Sequence, residues 1–239
     1  MTPSRPFDLV VFDFDGTLVD SHEGIVAAMN GALEAAGQPP STADVIGPHI
    51  GRPLLDVIRA LLPSTAAPEV PELVRSAYRT LYFEVAPRLT RCFPGVPEGL
   101  ASLKAVGVRL AVASNKSRRG LDQMIDHLGL RATFDVVVAA DEVPFPKPHP
   151  AMLQHILGEL PTPLHRVAVV GDSRADIGLG RAADVLTIGV TWGAQARDVL
   201  EAEGADVVVD TVGELFERLA RDPHGPGTST SICAGSAAK

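Results

Sequence analysis

Phe7-Asp8-Leu9-Val10-Val11-Phe12-Asp13-Phe14-Asp15-Gly16-Thr17 is a nearly continuous apolar run that closes on two acids and a glycine turn. Strands covered on both faces in a parallel sheet read this way. Similar runs recur at 108–113, 134–139, 167–171, 185–190 and 207–209. Helical spacings lie between them: Leu100, Leu103 and Val106; Leu121, Met124, Ile125 and Leu128; Met152, Ile156 and Leu160. Gly107 and Gly129 stand where helix C-caps are expected. Strands and helices alternating at this length predict an α/β fold, a doubly wound parallel sheet with a Rossmann-like core. In such sheets ligands bind beyond the carboxyl ends of the strands, so polar groups just after each apolar run should converge.

One segment breaks the alternation. Residues 21–87 hold helical spacings (Ile25, Met29, Leu33; Leu54, Leu55, Ile58, Leu61; Leu73, Val74, Ala77, Leu81) but no strand. Breakers such as Gly37, Pro39, Pro40, Gly51, Pro53, Pro63 and Pro68 divide them. The expected organisation is an α/β core from 1–20 and 88–221, an inserted α-helical cap from 21–87, and a disordered Gly/Ser/Thr/Pro-rich tail from 222–239. Asp20 is expected to N-cap the first inserted helix, with Glu23 completing a capping box. Asp184 stands where a glycine often follows a helix and is expected to take the left-handed conformation.

The bulk numbers bound the function. The chain has 239 residues, 46% hydrophobic, enough for a full core. A net charge of −8 argues against a nucleic-acid surface, which needs clustered Lys and Arg. It leaves room for a small anionic metabolite in a local positive pocket. Two cysteines, Cys92 and Cys233, make no disulfide framework and suit a reducing compartment. With a short polar N-terminus and no apolar run near the roughly 20 residues of a membrane helix, the expected location is cytoplasmic, away from membranes.

The strand ends carry the chemistry. They deliver Asp13 and Asp15, then Ser114-Asn115, then Lys147, then Gly171-Asp172 with Asp176. Carboxylates gathered at one sheet edge repel: two unit charges at 4 Å cost about 4 kcal/mol at an effective dielectric of 20. A divalent cation removes that penalty, and hard oxygen ligands favour magnesium. A lysine and a hydroxyl beside such a cation suit a phosphoryl group.

Four motifs in order, Asp13-Phe14-Asp15-Gly16-Thr17, Ser114-Asn115, Lys147-Pro148-His149-Pro150 and Gly171-Asp172-Ser173-Arg174-Ala175-Asp176, resemble those of the haloacid dehalogenase-like hydrolase superfamily over about residues 7–220. The helical insert resembles the subgroup whose cap lies between the first and second motifs. The resemblance implies that Asp13 is the nucleophile, forming an aspartyl-phosphate, and that Asp15 handles the leaving-group and water protons. It implies Mg2+ on the Asp13 carboxylate, the Asp15 carbonyl and Asp172, with Asp176 orienting metal-bound water. Gly16, Thr17, Ser114, Asn115 and Lys147 would surround the phosphoryl group, and Lys147 would also temper the charge on Asp13. An acid at Asp15 favours phosphate over halide chemistry, since a departing halide needs no proton.

Within the subgroup the chain resembles phosphoglycolate phosphatases, on the Asp-Gly-Thr-Leu-Val-Asp-Ser opening, the Gly-Asp-Ser-Arg motif and Gly189-Val190-Thr191-Trp192-Gly193. The expected activity is a phosphomonoester hydrolase for a small phosphorylated metabolite, with 2-phosphoglycolate first. A β-phosphoglucomutase-like phosphomutase or a sugar-phosphate phosphatase is the alternative, and a catalytically silent binding protein stands last. Arg52, in the turn between cap helices, is the expected specificity residue, able to pair with a substrate carboxylate or second phosphate. Lys116 and His22 are weaker candidates for substrate contact, and Trp192 reads as packing.

Overall fold

The computed structural model describes residues 6–220. The tail expected at 222–239 lies outside the described residues. Six parallel strands form the main sheet: β1 (Leu9–Phe12), β4 (Arg109–Ser114), β5 (Val136–Ala139), β6 (Val167–Gly171), β7 (Leu186–Val190) and β8 (Val207–Val209). Their order is β5-β4-β1-β6-β7-β8. The chain therefore steps outward from β1 on one side and returns to its other side at β6. That reversal opens a crevice beside β1, where ligands bind in folds of this kind.

Burial explains the apolar runs. Val10 and Phe12 join one cluster with Leu100, Leu121 and Met124. Leu9 and Val11 face the opposite side with Met152, Leu153 and Ile156. Both faces of β1 are thus dry, as the unbroken hydrophobicity requires. The flanking helices are α5 (Val96–Ala105), α6 (Arg118–His127), α7 (Ala151–Glu159), α8 (Arg174–Ala182), α9 (Arg197–Glu203) and α10 (Val212–Ala220). Val106, counted on an apolar face, is 54% exposed because it is the C-cap of α5, past its last helical residue. Gly107 and Gly129 have positive φ, and the main-chain bonds Val108 to Leu103 and Leu130 to Ile125 close Schellman caps. Asp184 does the same at φ 56°, with Val185 bonded back to Gly180.

Four helices stand between the strands of a small antiparallel ribbon, β2 (Val19–Asp20) with β3 (Arg91–Cys92). They are α1 (His22–Ala35), α2 (Ala43–Ile46), α3 (Leu54–Leu61) and α4 (Val70–Leu89). Met29, Leu33, Ile46, Ile58 and Val74 give them an apolar cluster of their own. The ribbon corrects one expectation. Asp20 pairs with Arg91 in β2, so Ser21 becomes the residue before α1, and no side chain caps that helix.

Pro87 lies inside α4 and removes the amide that would reach the Phe83 carbonyl. Gln123 of α6 fills the gap, donating from Nε2 to the Phe83 oxygen at 2.9 Å. A helix defect thereby becomes a tie between the helical segment and the sheet domain. Among the described residues no helix is long and apolar enough to cross a membrane.

Candidate active site

The register of β1 builds the site. Phe12 faces Val112 of β4 on one side and Val170 of β6 on the other, so the residues after these positions meet at one edge. Asp13, Asp15, Ser114, Asn115, Lys147, Asp172 and Asp176 are brought together there, and all are buried.

Lys147 is the electrostatic centre. Its ammonium donates to Asp13 Oδ1 at 2.7 Å, Asp176 Oδ1 at 2.5 Å and the Ala113 carbonyl at 2.8 Å. All three of its protons are therefore engaged. Burial pulls this ammonium toward the neutral form, but Asp13 and Asp176 more than offset that and hold it above its ordinary range. The Asp176 Oδ2 accepts from the Ser173 amide and hydroxyl at 3.0 and 2.5 Å. Both oxygens of Asp176 are thus committed.

Asp172 is set by two loops. Its Oδ1 accepts from Thr17 Oγ1 at 3.0 Å and its Oδ2 from the Ala194 amide at 2.6 Å. Gly16 sits at φ +78°, and a Cβ there would fall 2.2 Å from Asp172 Oδ2. A Cβ on Gly193 would fall 2.3 Å from the same atom. Both glycines are required by close approach to this carboxylate. Trp192 packs edge-on to Phe93 and donates to the Thr17 carbonyl at 3.1 Å, which matches its reading as a packing residue.

Three buried carboxylates and one ammonium leave two negative charges uncompensated. The nearest ligand atoms of Asp13, Asp172 and Asp176 lie within 4.8 Å of one another. Asp13 Oδ2 is buried with no hydrogen-bond partner among the described residues. Burial first, then Asp176, raises the Asp13 carboxyl well above the ordinary range. Burial and Asp176 push Asp172 up to about 7. Such a cluster fits a hard divalent cation, which supplies the missing charge and a partner for the orphaned oxygen.

Asp15 has a separate partner. Its Oδ2 is 2.8 Å from the Lys116 ammonium, while its Oδ1 is buried and unpartnered among the described residues. The Asn115 side chain is occupied elsewhere: Nδ2 donates to Gly51 and Lys147 carbonyls at 2.8 and 3.2 Å, and Oδ1 accepts from the Lys147 amide at 3.0 Å. It ties two segments together and offers no amide proton to a ligand. Thr17 likewise spends its hydroxyl on Asp172.

A cavity of about 290 Å³ opens from Asp13, Asp15 and Ser114 toward the helical segment. Arg52 lines it, exposed and bonded through Nη1 to His49 Nδ1 at 2.8 Å. One face of α4 also lines it: Arg75, Tyr78, Arg79, Tyr82 and Phe83. Sequence reading passed over these five residues. Their spacing of three and four marks a helical face, but only the fold shows that this face covers the strand ends. His22 is exposed and lines a second, smaller cavity of about 130 Å³.

A doubly wound sheet with this acid cluster at its carboxyl edge defines a class of phosphate-handling hydrolase. Residues 10–190 match the haloacid dehalogenase-like hydrolase family. The chain belongs to that family, among its phosphatases. It is 39% identical to "Probable phosphatase IndB" of Dickeya dadantii, over 87% of this chain and 91% of that one. It is 32% identical to the phosphoglycolate phosphatase of Neisseria meningitidis, over 88% and 92% of the two chains. The crystal structure of "Putative haloacid dehalogenase-like hydrolase from Bacteroides fragilis" superposes with a TM-score of 0.82 at 29% identity, covering 87% of this chain and 99% of that one.

Proposed function

We propose that this protein is a magnesium-dependent phosphomonoester hydrolase that works through a phosphorylated Asp13. The observation that carries the reading is Asp13 Oδ2, buried and unpartnered beside Lys147, Asp172 and Asp176. An oxygen held there at a low-dielectric, water-excluded edge is available to attack phosphorus. Asp15, with Oδ2 fixed by Lys116 and Oδ1 buried and unpartnered among the described residues in a side chain that lines the cavity, protonates the departing alkoxide and then takes the proton of the attacking water. Ser114 Oγ and the main-chain amides of Thr17 and Asn115 receive phosphoryl oxygens, while the Gly16 amide is held by the Val19 carbonyl at 2.9 Å and shapes the turn. Lys147 joins them by exchanging one of its present bonds. The Asp13 carboxylate, Asp15 carbonyl and Asp172 would hold Mg2+, while Asp176 steadies Lys147 and water nearby. When bound, the ion neutralises the cluster and polarises the phosphoryl group.

Residues 1–20 and 88–221 form the catalytic core in this reading, and residues 21–87 form a cap that excludes water and selects the substrate. The names of relatives make 2-phosphoglycolate the first substrate to assay. Arg52 would meet its carboxylate at the cavity wall. Phosphate release from a panel of small phosphomonoesters, run with the parent and with Arg52→Ala, tests both levels. A parent that releases no phosphate from any of them would end the hydrolase reading. An Arg52→Ala protein with unchanged selectivity would remove Arg52 from recognition.

A phosphomutase is the second reading, because Arg75 and Arg79 line the same cavity as Arg52 and add cationic groups to it. Mutases hold a bisphosphate, and Arg79 has no ion-pair partner among the described residues, whereas Arg75 is paired with Glu72. Interconversion of sugar phosphate isomers without phosphate release would favour it.

The acid cluster also sets a pH dependence. The folded Asp172 carboxyl titrates near 7 against an ordinary 3.8, so the folded state holds its proton more tightly than the unfolded chain. Stability from this group is present below about pH 4 and is lost as pH rises toward 7 and beyond. Melting of metal-free protein is expected to fall across that window, and less steeply in Asp172→Asn. Added magnesium should raise the melting temperature most above pH 7. Equal pH slopes in parent and variant would contradict this.

A further inference from the structure

We propose that Lys116 and the cap residue Tyr82 together position Asp15, so that seating of the cap readies the acid–base group. This rests on the phosphatase reading and concerns residues outside the four motifs' assigned chemistry. Lys116 Nζ reaches Asp15 Oδ2 at 2.8 Å and donates to the Tyr82 hydroxyl at 2.9 Å. The same ammonium lies 4.3 Å from the centre of the Tyr82 ring, within cation–π range. Tyr82 is 3% exposed on α4, with the Tyr78 ring 5.6 Å behind it.

The arrangement leaves Asp15 with one oxygen fixed and the other free. Oδ2 is held by Lys116, and Oδ1 is buried without a partner among the described residues, in a side chain that lines the cavity. A lysine stem has four rotatable bonds and holds no single direction unless it is packed. Tyr82 supplies that packing from the cap, through ring and hydroxyl together. Three other contacts tie the cap to the same edge without touching Asp15: Gln123 to the Phe83 carbonyl, Asn115 to the Gly51 carbonyl, and Arg119 over the Phe83 ring at 4.1 Å. Cap docking and Asp15 positioning are therefore separable by mutation.

A positioned acid matters in proportion to how badly the leaving group needs a proton. An alkyl phosphate leaves as a strongly basic alkoxide, whereas p-nitrophenyl phosphate leaves as a stable phenolate. The quantity to compare is kcat/KM, which covers steps through ester cleavage and omits the later hydrolysis of the phosphoenzyme. Lys116→Met is expected to lower kcat/KM about 100-fold on a simple alkyl phosphate and about 3-fold on p-nitrophenyl phosphate. Tyr82→Phe, which removes only the hydroxyl, should show the same asymmetry at about 10-fold against about 2-fold. Lys116→Arg should recover part of the alkyl phosphate activity. Asp15→Asn gives the reference pattern. Losses equal on the two esters, in variants that melt with the parent, would mean that Lys116 and Tyr82 merely bind substrate or support the fold, and would overturn the proposal. A parent inactive on both esters would instead defeat the phosphatase reading beneath it.

Discussion

Asp13→Asn is expected to lower phosphatase turnover to less than about a thousandth of the parent's. The amide keeps the shape of the carboxylate but loses the nucleophilic charge on Oδ2 and one seat for the cation. Its effect on the fold should be small. Asp13 shares its pocket with two further carboxylates, and burial already works against its charge. Removing one of three crowded negative charges relieves repulsion, while the lost bond to Lys147 costs a comparable amount. The melting temperature without added metal should therefore stay within about 3 °C of the parent's. Kinetics and melting on the same preparation check both halves. Retained turnover would show that another group attacks. A collapse in melting would show that Asp13 is a structural ion-pair partner first.

Lys147→Met should do the reverse as well as the same: it is expected to destroy both activity and stability. Three buried acceptors, Asp13 Oδ1, Asp176 Oδ1 and the Ala113 carbonyl, lose their donor at once. Breaking a buried pair from one side costs about 3–5 kcal/mol. In a chain of this size that is a fall of about 6–20 °C in melting temperature. The contrast between the two variants is diagnostic, because each removes one charge from the same cluster. Thermal unfolding with and without magnesium reads it directly. A Lys147→Met protein that melts within about 2 °C of the parent would show that something else balances the acids.

The strands were legible because a strand buried on both sides cannot alternate, and 7–13, 108–113 and 167–171 do not. The glycine and Asp184 caps were legible because a positive φ selects few residue types. The acids, Ser114, Asn115 and Lys147 could be placed at one edge because parallel strands all end there. What each side chain does was harder to read. Asn115 and Thr17 stand in the motifs, yet their side chains hold the Lys147 segment and Asp172. That depends on loop geometry, which periodicity does not encode. The two-residue strands β2 and β3 are too short for any periodic signal, and missing them moved the start of α1 past Asp20. The α4 wall had a readable face but no readable destination. In the sequence Lys116 reads only as a candidate substrate contact. Its contact with Asp15 needs β1 paired beside β4, and its contact with Tyr82 needs α4 packed against α6 at the same edge.

The central claim is that Asp13 carries the phosphoryl group between the two half-reactions. Quenching the enzyme in acid during turnover, reducing the trapped acyl phosphate with borohydride and sequencing the peptides by mass spectrometry tests it directly. The account predicts homoserine in place of Asp13, dependent on substrate and magnesium, and absent from Asp13→Asn. Full turnover with Asp13 unmodified in the quenched enzyme, or the phosphoryl group recovered on another side chain, would contradict it.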